Sequence, residues 1–185
     1  MPKILIVYYS RTNITKKVAE TLAQKLDADL EEIKSVKNYS GPIGYLMAGR
    51  EATIKKAAKI EATTKNPADY DLVILGTPIW SFNISSPIRA FIEQNKDKIK
   101  KTAFFCTMGG SGDIRAFVEM EKISNKKPTA TLSLLTKEVI NNQAEEKIDS
   151  FINKINSWYL IKNKNKPCWH FASRAFELKN LTIQG

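Results

Sequence analysis

The stretch Lys3-Ile4-Leu5-Ile6-Val7-Tyr8-Tyr9-Ser10-Arg11-Thr12-Asn13-Ile14-Thr15, with the Val18, Leu22 and Leu26 that follow it, decides the fold. Residues 3–9 are a nearly continuous apolar run, the pattern of a strand buried on both faces of a parallel sheet. Ser10 to Thr15 is polar and rich in hydroxyls. Val18, Leu22 and Leu26 then recur four apart with Ala19 and Ala23 beside them, which makes one apolar stripe of a helix. Strand, polar loop and helix in that order form the repeating unit of an α/β fold.

Working outward, Ala28 to Ile33 is a second strand, Asp71 to Gly76 a third that ends at Thr77-Pro78, Thr102 to Cys106 a fourth and Thr129 to Leu135 a fifth. Between them the pattern predicts a helix from about Tyr45 to Ile60, with Leu46, Ile54, Ala57 and Ala58 on its stripe. Another opens at Ser86 as N-cap with Pro87 at the first helical position, burying Ile88, Phe91 and Ile92. Asp113 to Ile123 presents Ile114, Phe117 and Val118, and a final helix carries Ile148, Phe151, Ile152, Ile155, Trp158 and Tyr159. Five strands alternating with helices imply an open parallel sheet covered on both faces, because each crossover is long and right-handed. After Ile161 the run Lys162-Asn163-Lys164-Asn165-Lys166-Pro167 loses all apolar period. Residues 1–160 are therefore read as one domain and 161–185 as a basic C-terminal extension, whose Trp169, Phe171 and Phe176 suit either a short added helix or loose chain.

A length of 185 residues suits a single domain with a full core, and ordinary apolar and charged fractions exclude disordered and membrane-bundle classes. Charge is the unusual property: 29 Lys+Arg against 19 Asp+Glu give +10, of which residues 161–185 hold +4. Such a surplus points toward acidic partners. Lysine pairs at 16–17, 55–56, 100–101 and 126–127 lie on several elements and read as a scattered solvated surface, with no motif for specific nucleic acid. Two cysteines suit a reducing compartment, and the short amino-terminal apolar run is no membrane span, so the expected location is cytoplasmic. His170 is the only histidine and lies in the extension, which argues against a Ser-His-Asp or Cys-His hydrolase. Cys106, at the end of a buried strand, reads as a core residue rather than a nucleophile.

In such sheets ligands bind beyond the carboxyl ends of the strands, where strand order reverses. Three loops there have unusual composition. Ser10 to Thr15 brings hydroxyls to a helix start, where free amides attract an anion. It lacks the spacing of a triphosphate or dinucleotide loop, so a phosphate monoester fits better. Helix capping by Thr12 or Asn13 explains the same residues equally well. Pro78-Ile79-Trp80-Ser81-Phe82-Asn83 sets two aromatics among small polar residues, either as a wall for a flat ligand or as a lid on the core. Thr107-Met108-Gly109-Gly110-Ser111-Gly112 lets backbone approach a ligand closely, or serves only a sharp turn.

Taken together these segments resemble the flavodoxin family, in particular its short single-domain bacterial members, over about residues 3–160. Tyr9 to Ala19 is similar to the family's Ser/Thr-x-Thr-Gly-Asn-Thr phosphate loop and helix. Tyr70 to Trp80 is similar to its third strand and aromatic flavin-contacting loop, and Phe104 to Gly112 to its fourth strand and the loop at the flavin's pyrimidine edge. The resemblance implies a three-layer flavodoxin-like sandwich with strand order 2-1-3-4-5 and flavin mononucleotide (FMN) as cofactor. It implies that Ser10, Arg11, Thr12, Asn13, Ile14 and Thr15 surround the phosphate. Pro78, Ile79, Trp80, Ser81, Phe82 and Asn83 would border the ribityl chain and ring, and Thr107, Met108, Gly109, Gly110, Ser111 and Gly112 the pyrimidine edge. Asn13 stands where the family has Gly, and Ile14 where it has Asn. Asn tolerates left-handed backbone, and the second change removes a side chain but no amide, so phosphate binding weakens rather than vanishes.

The function so implied is electron transfer or flavin-dependent oxidoreduction, by a carrier or by an NAD(P)H:acceptor reductase. Its partner would be a redox protein or a small acceptor such as a quinone, and its state monomer or homodimer. The alternative class is a binding or regulatory module of the same shape that has lost firm flavin binding. Family carriers are usually acidic, so +10 sets this chain apart from them.

Overall fold

A computed structural model describes residues 2–163; the expectations for the extension's aromatics and for His170 lie outside the described residues. The elements run β1 (Ile4–Tyr8), α1 (Ile14–Leu26), β2 (Asp29–Glu32), α2 (Gly41–Thr53), β3 (Leu72–Trp80), β4 (Asn83–Ile84), α3 (Ser86–Asn95), β5 (Thr102–Met108), α4 (Asp113–Ser124), β6 (Thr131–Leu135), α5 (Thr136–Ile140) and α6 (Glu145–Asn163). The five main strands lie in the order β2-β1-β3-β5-β6, all parallel, and two-residue β4 pairs antiparallel with the end of β3. Because β4 is only that addition, the sheet is the expected 2-1-3-4-5 arrangement of a flavodoxin-like fold.

Two apolar layers sandwich the sheet. On one face Val18, Leu22 and Leu26 of α1 pack with Ile148, Phe151 and Ile155 of α6 against Ile6, Ile74 and Phe105. On the other, Ile88, Phe91 and Ile92 of α3 and Met120 of α4 cover Leu5, Val73, Leu75 and Phe104. Alternation along each strand divides its side chains between the two layers.

Gly76 sits opposite Phe105 in the β3–β5 register, and a Cβ there would collide with the Phe105 ring. Phe105 is fully buried and has no free space to turn into, so Gly76→Ala overpacks the core. The expected cost is about 1–3 kcal/mol, seen as a lower urea midpoint with unchanged slope.

The structure moves several expected boundaries. α2 begins at Gly41 and ends at Thr53 instead of spanning 45–60. The Gly41-Pro42 pair that looks like a turn opens the helix, since Pro in a first turn loses no helical hydrogen bond. The chain then leaves helical geometry at Lys55, whose φ is 54°. Leu46 and Ile54 are exposed, and of the expected stripe Ala58 is buried. α3 is preceded by Ser85, so Ser86 and Pro87 are its first two residues. β3 and β5 run to Trp80 and Met108, which puts Pro78, Ile79, Trp80, Thr107 and Met108 in strands rather than loops. α4 is turned about its axis from the expected phase: Ile114 and Val118 face solvent while Ala116, Glu119 and Met120 face inward.

Candidate functional site

Beyond the carboxyl ends of β1, β3 and β5 the three loops close on one another. Thr15 and Thr107, both buried, share a hydrogen bond of 2.8 Å between hydroxyls, tying the first loop to the third. The Tyr9 and Trp80 rings meet edge to face with centroids 5.5 Å apart, tying the first to the second. Gly112, at φ 117°, completes the set: a Cβ there would lie 2.9 Å from Ile79 Cγ2 and 3.0 Å from Phe82 Cα. Only glycine permits both that backbone angle and that approach.

The first loop carries the clearest ligand chemistry. Asn13 is the N-cap of α1 with φ 61°, the left-handed conformation, and its side chain makes no capping bond. The first intrahelical bond is Lys17 N to Asn13 O at 2.9 Å, so the amides of Ile14, Thr15 and Lys16 have no acceptor within the helix. The capping alternative is thereby excluded for Asn13. The Ser10 hydroxyl is buried yet has no hydrogen-bond partner. A buried polar group without a partner costs about 1–3 kcal/mol, and a phosphate oxygen would satisfy both it and the free amides. Lys16, at the start of α1, pairs with Glu32 at 3.8 Å.

The second loop is a tight hairpin. Trp80 pairs with Asn83, and the two turn residues Ser81 and Phe82 have φ of 45° and 61°, the doubly positive pattern that matches strand twist. For non-glycine residues this conformation costs roughly 1–2 kcal/mol each, and the base of the hairpin opposes it. Thr77 Oγ1 donates to Ser85 Oγ at 3.0 Å and accepts from Ser85 N at 3.0 Å. Below the hairpin Arg89, 3% exposed, donates to Glu119 at 2.8 Å and to Asn83 Oδ1 at 3.4 Å, and Lys55 donates to the other Glu119 oxygen at 2.6 Å.

The two aromatics of this loop behave differently. Trp80 is buried between Tyr9 and Tyr39, with centroids 5.5 and 5.1 Å away, whereas Phe82 at the tip is exposed. Tyr39 in turn donates to buried Glu51 at 2.5 Å, and Lys37 reaches the same carboxylate at 2.7 Å. Burial pushes the Glu51 carboxyl up, but the hydrogen bonds from Lys37 and Tyr39 outweigh it and hold it below its ordinary value. Tyr9 is pushed up to about 12 by burial. Tyr39 lies ahead of the expected helix and Glu51 within it but off its apolar stripe, so only the packing marks them.

Gly109, Gly110 and Ser111 of the third loop are exposed, and Cβ atoms at the two glycines would meet only open space. Thr12 and Asn13 are exposed, and Arg11, Ile14, Pro78, Ile79 and Met108 are half-buried at the same end of the sheet. Cys106 lies beneath it fully buried, and burial pushes its thiol far up, so it serves the core. The arrangement can hold an anion at α1 and a flat group along the hairpin and the glycine loop, while the reacting chemistry would belong to the bound group.

The flavodoxin family model matches residues 3–155. Among solved structures, the chain is similar to a flavoprotein from Lactobacillus acidophilus NCFM in complex with FMN, with 24% identity and a TM-score of 0.62 over 76% of this chain and 98% of that one. The apo-form of the Lactobacillus acidophilus flavoprotein also matches, at 24% identity and TM-score 0.55 over 73% and 92%. A Bacteroides eggerthii protein matches at 24% identity and TM-score 0.63 over 80% and 98%. At these identities the structural likenesses speak for the fold.

Proposed function

This chain belongs to the flavodoxin family, and from that premise we propose that it binds FMN across the three loops and passes electrons between a donor and an acceptor. The observation that carries the reading is the unpartnered Ser10 hydroxyl beside the uncapped start of α1. Ser10, Thr12 and the amides of residues 14–16 would hold the phosphate. Ile79 and Phe82 would border the ring, and the backbone of Gly109 and Gly110 its polar edge. When bound, FMN accepts and releases electrons; the protein's own residues bind it, orient it and exclude water from one side. Trp80, locked between Tyr9 and Tyr39, would act as a rigid backing rather than a mobile flap. The acceptor would be a redox protein or a small quinone-type molecule, and NADH or NADPH a candidate donor.

Titrating the purified chain with FMN while following flavin fluorescence is expected to show saturable quenching at micromolar protein. Absence of saturable quenching would sink the cofactor assignment and leave a flavin-free binding module of the same shape. Anaerobic mixing of the loaded protein with NADH or NADPH, followed by addition of a quinone, then separates a reductase from a carrier: only in a reductase does the nucleotide bleach the flavin at an appreciable rate and the quinone restore its colour.

A further inference from the structure

At the end of the sheet opposite the loops, the corner formed by the starts of β5 and β6 is rich in lysine. Lys96, Lys98, Lys100 and Lys101 lead from the end of α3 into β5, and Lys122, Lys126 and Lys127 lead from the last turn of α4 toward β6. β5 and β6 are hydrogen-bonded neighbours, with Thr129 N donating to Thr102 O at 2.8 Å just inside these segments. The pairs at 100–101 and 126–127, separated in sequence, therefore lie side by side. Residues 93–101 and 121–127 together hold these seven lysines against Glu93, Asp97 and Glu121, a net +4. Among the described residues none of the seven forms an ion pair, in contrast to six lysines at 16, 25, 37, 55, 65 and 147 and in common with others such as Lys56, Lys59 and Lys137.

α6 runs to the same end. Its Trp158 and Ile161 line one shallow cleft with Thr129 at the approach to β6. Leu160 and Ile161 are 61% and 72% exposed, so apolar side chains also stand at this end. The chain then continues into residues 161–185, which hold another +4 together with Trp169, Phe171 and Phe176. The lysine segments and the extension that follows α6 in sequence thus carry +4 each.

We propose that this end docks on an anionic lipid bilayer. Clustered lysines near a membrane each contribute favourably to binding anionic lipid, and the exposed Leu160 and Ile161 suit the boundary between headgroups and acyl chains. The lysine cluster contains no arginine, whose planar fork is favoured for nucleic-acid recognition. Among the described residues no exposed aromatic side chain stands among these lysines to stack bases. The flavin site, at the other end of the strands, would then face away from the membrane toward a soluble partner. The inference does not depend on flavin being bound.

The test is co-sedimentation of the full chain with vesicles of phosphatidylcholine alone and of an equal mixture with phosphatidylglycerol, at low and high salt. Binding is expected to the anionic vesicles only, and to fall as salt screens the lysines. K100E/K101E/K127E is expected to lose about 100-fold or more in partitioning, while K56E/K59E/K137E, with the same change in net charge but placed away from this end, keeps most of it. Far-ultraviolet circular dichroism verifies that both variants are folded. Equal binding to neutral vesicles, equal loss in the two variants, or displacement of the vesicles by a mixed-sequence oligonucleotide that binds more tightly would each overturn the proposal.

Discussion

Glu119→Ala is expected to destabilise the folded chain by about 3–5 kcal/mol, because it strands a buried guanidinium. Arg89 is 3% exposed, its Nε already lacks a partner, and its remaining contact would be the 3.4 Å bond to Asn83. Lys55, which now shares Glu119, is half out in solvent and would simply turn away. For a domain of this size the loss corresponds to a fall in Tm of roughly 10 °C or more, and urea titration measures it directly. Replacing both partners by apolar residues, as in Arg89→Met with Glu119→Leu, is expected to recover most of the loss, since it removes the desolvated charges instead of orphaning one. A loss under about 1 kcal/mol for the single variant would show that water reaches Arg89.

The same carboxylate sets an acid limb. Burial pushes Glu119 up, but hydrogen bonds from Lys55 and Arg89 outweigh it, so its folded pKa lies below the ordinary 4.5. A folded pKa that is depressed contributes stability fully present above the unfolded value and lost as pH falls through the folded one. Stability should therefore decline below about pH 4.5, less steeply in Glu119→Gln, with Glu51 supplying part of the remaining slope.

Ser10→Asp is expected to weaken FMN binding by about 100-fold or more, since it sets a carboxylate against the phosphate at close range in a partly dehydrated site. Riboflavin, which lacks the phosphate, is the internal control. Its weaker quenching should be nearly the same in both proteins. A variant that loses both ligands equally would place Ser10 beside the ring, and one that loses neither would remove the first loop from the site. Ser10→Ala is the milder companion: it deletes an orphaned hydroxyl, so the free protein gains stability while FMN affinity falls.

Much of this molecule is written in short windows of its sequence. The continuous apolar runs at 4–8, 72–76 and 102–106 admit little but buried parallel strands, and the Val18, Leu22, Leu26 stripe settles which face of α1 turns inward. Asn13 in place of glycine is legible too, because asparagine is among the few residues that hold the left-handed turn it occupies. The three loops at one end of the sheet follow from those windows, and the resemblance to the family rests on the residues of the loops themselves.

What local pattern could not supply is whatever depends on a partner from a distant segment. The phase of α4 is the clearest case: Ile114 and Val118 look like its inner face, yet the inner face carries Glu119, because Arg89 of α3 and Lys55 make a buried carboxylate tolerable there. Trp80 is buried rather than exposed because Tyr39, more than forty positions earlier, packs against it and is anchored by Glu51. The lysine pairs at 100–101 and 126–127 look scattered along the chain until the parallel pairing of β5 with β6 sets them side by side. Hydrophobic spacing reports what each segment must hide from water, and so it determined the elements and their order. Ion pairs, ring contacts and the pooling of like charge are settled by which segments become neighbours, which the tertiary structure alone decided.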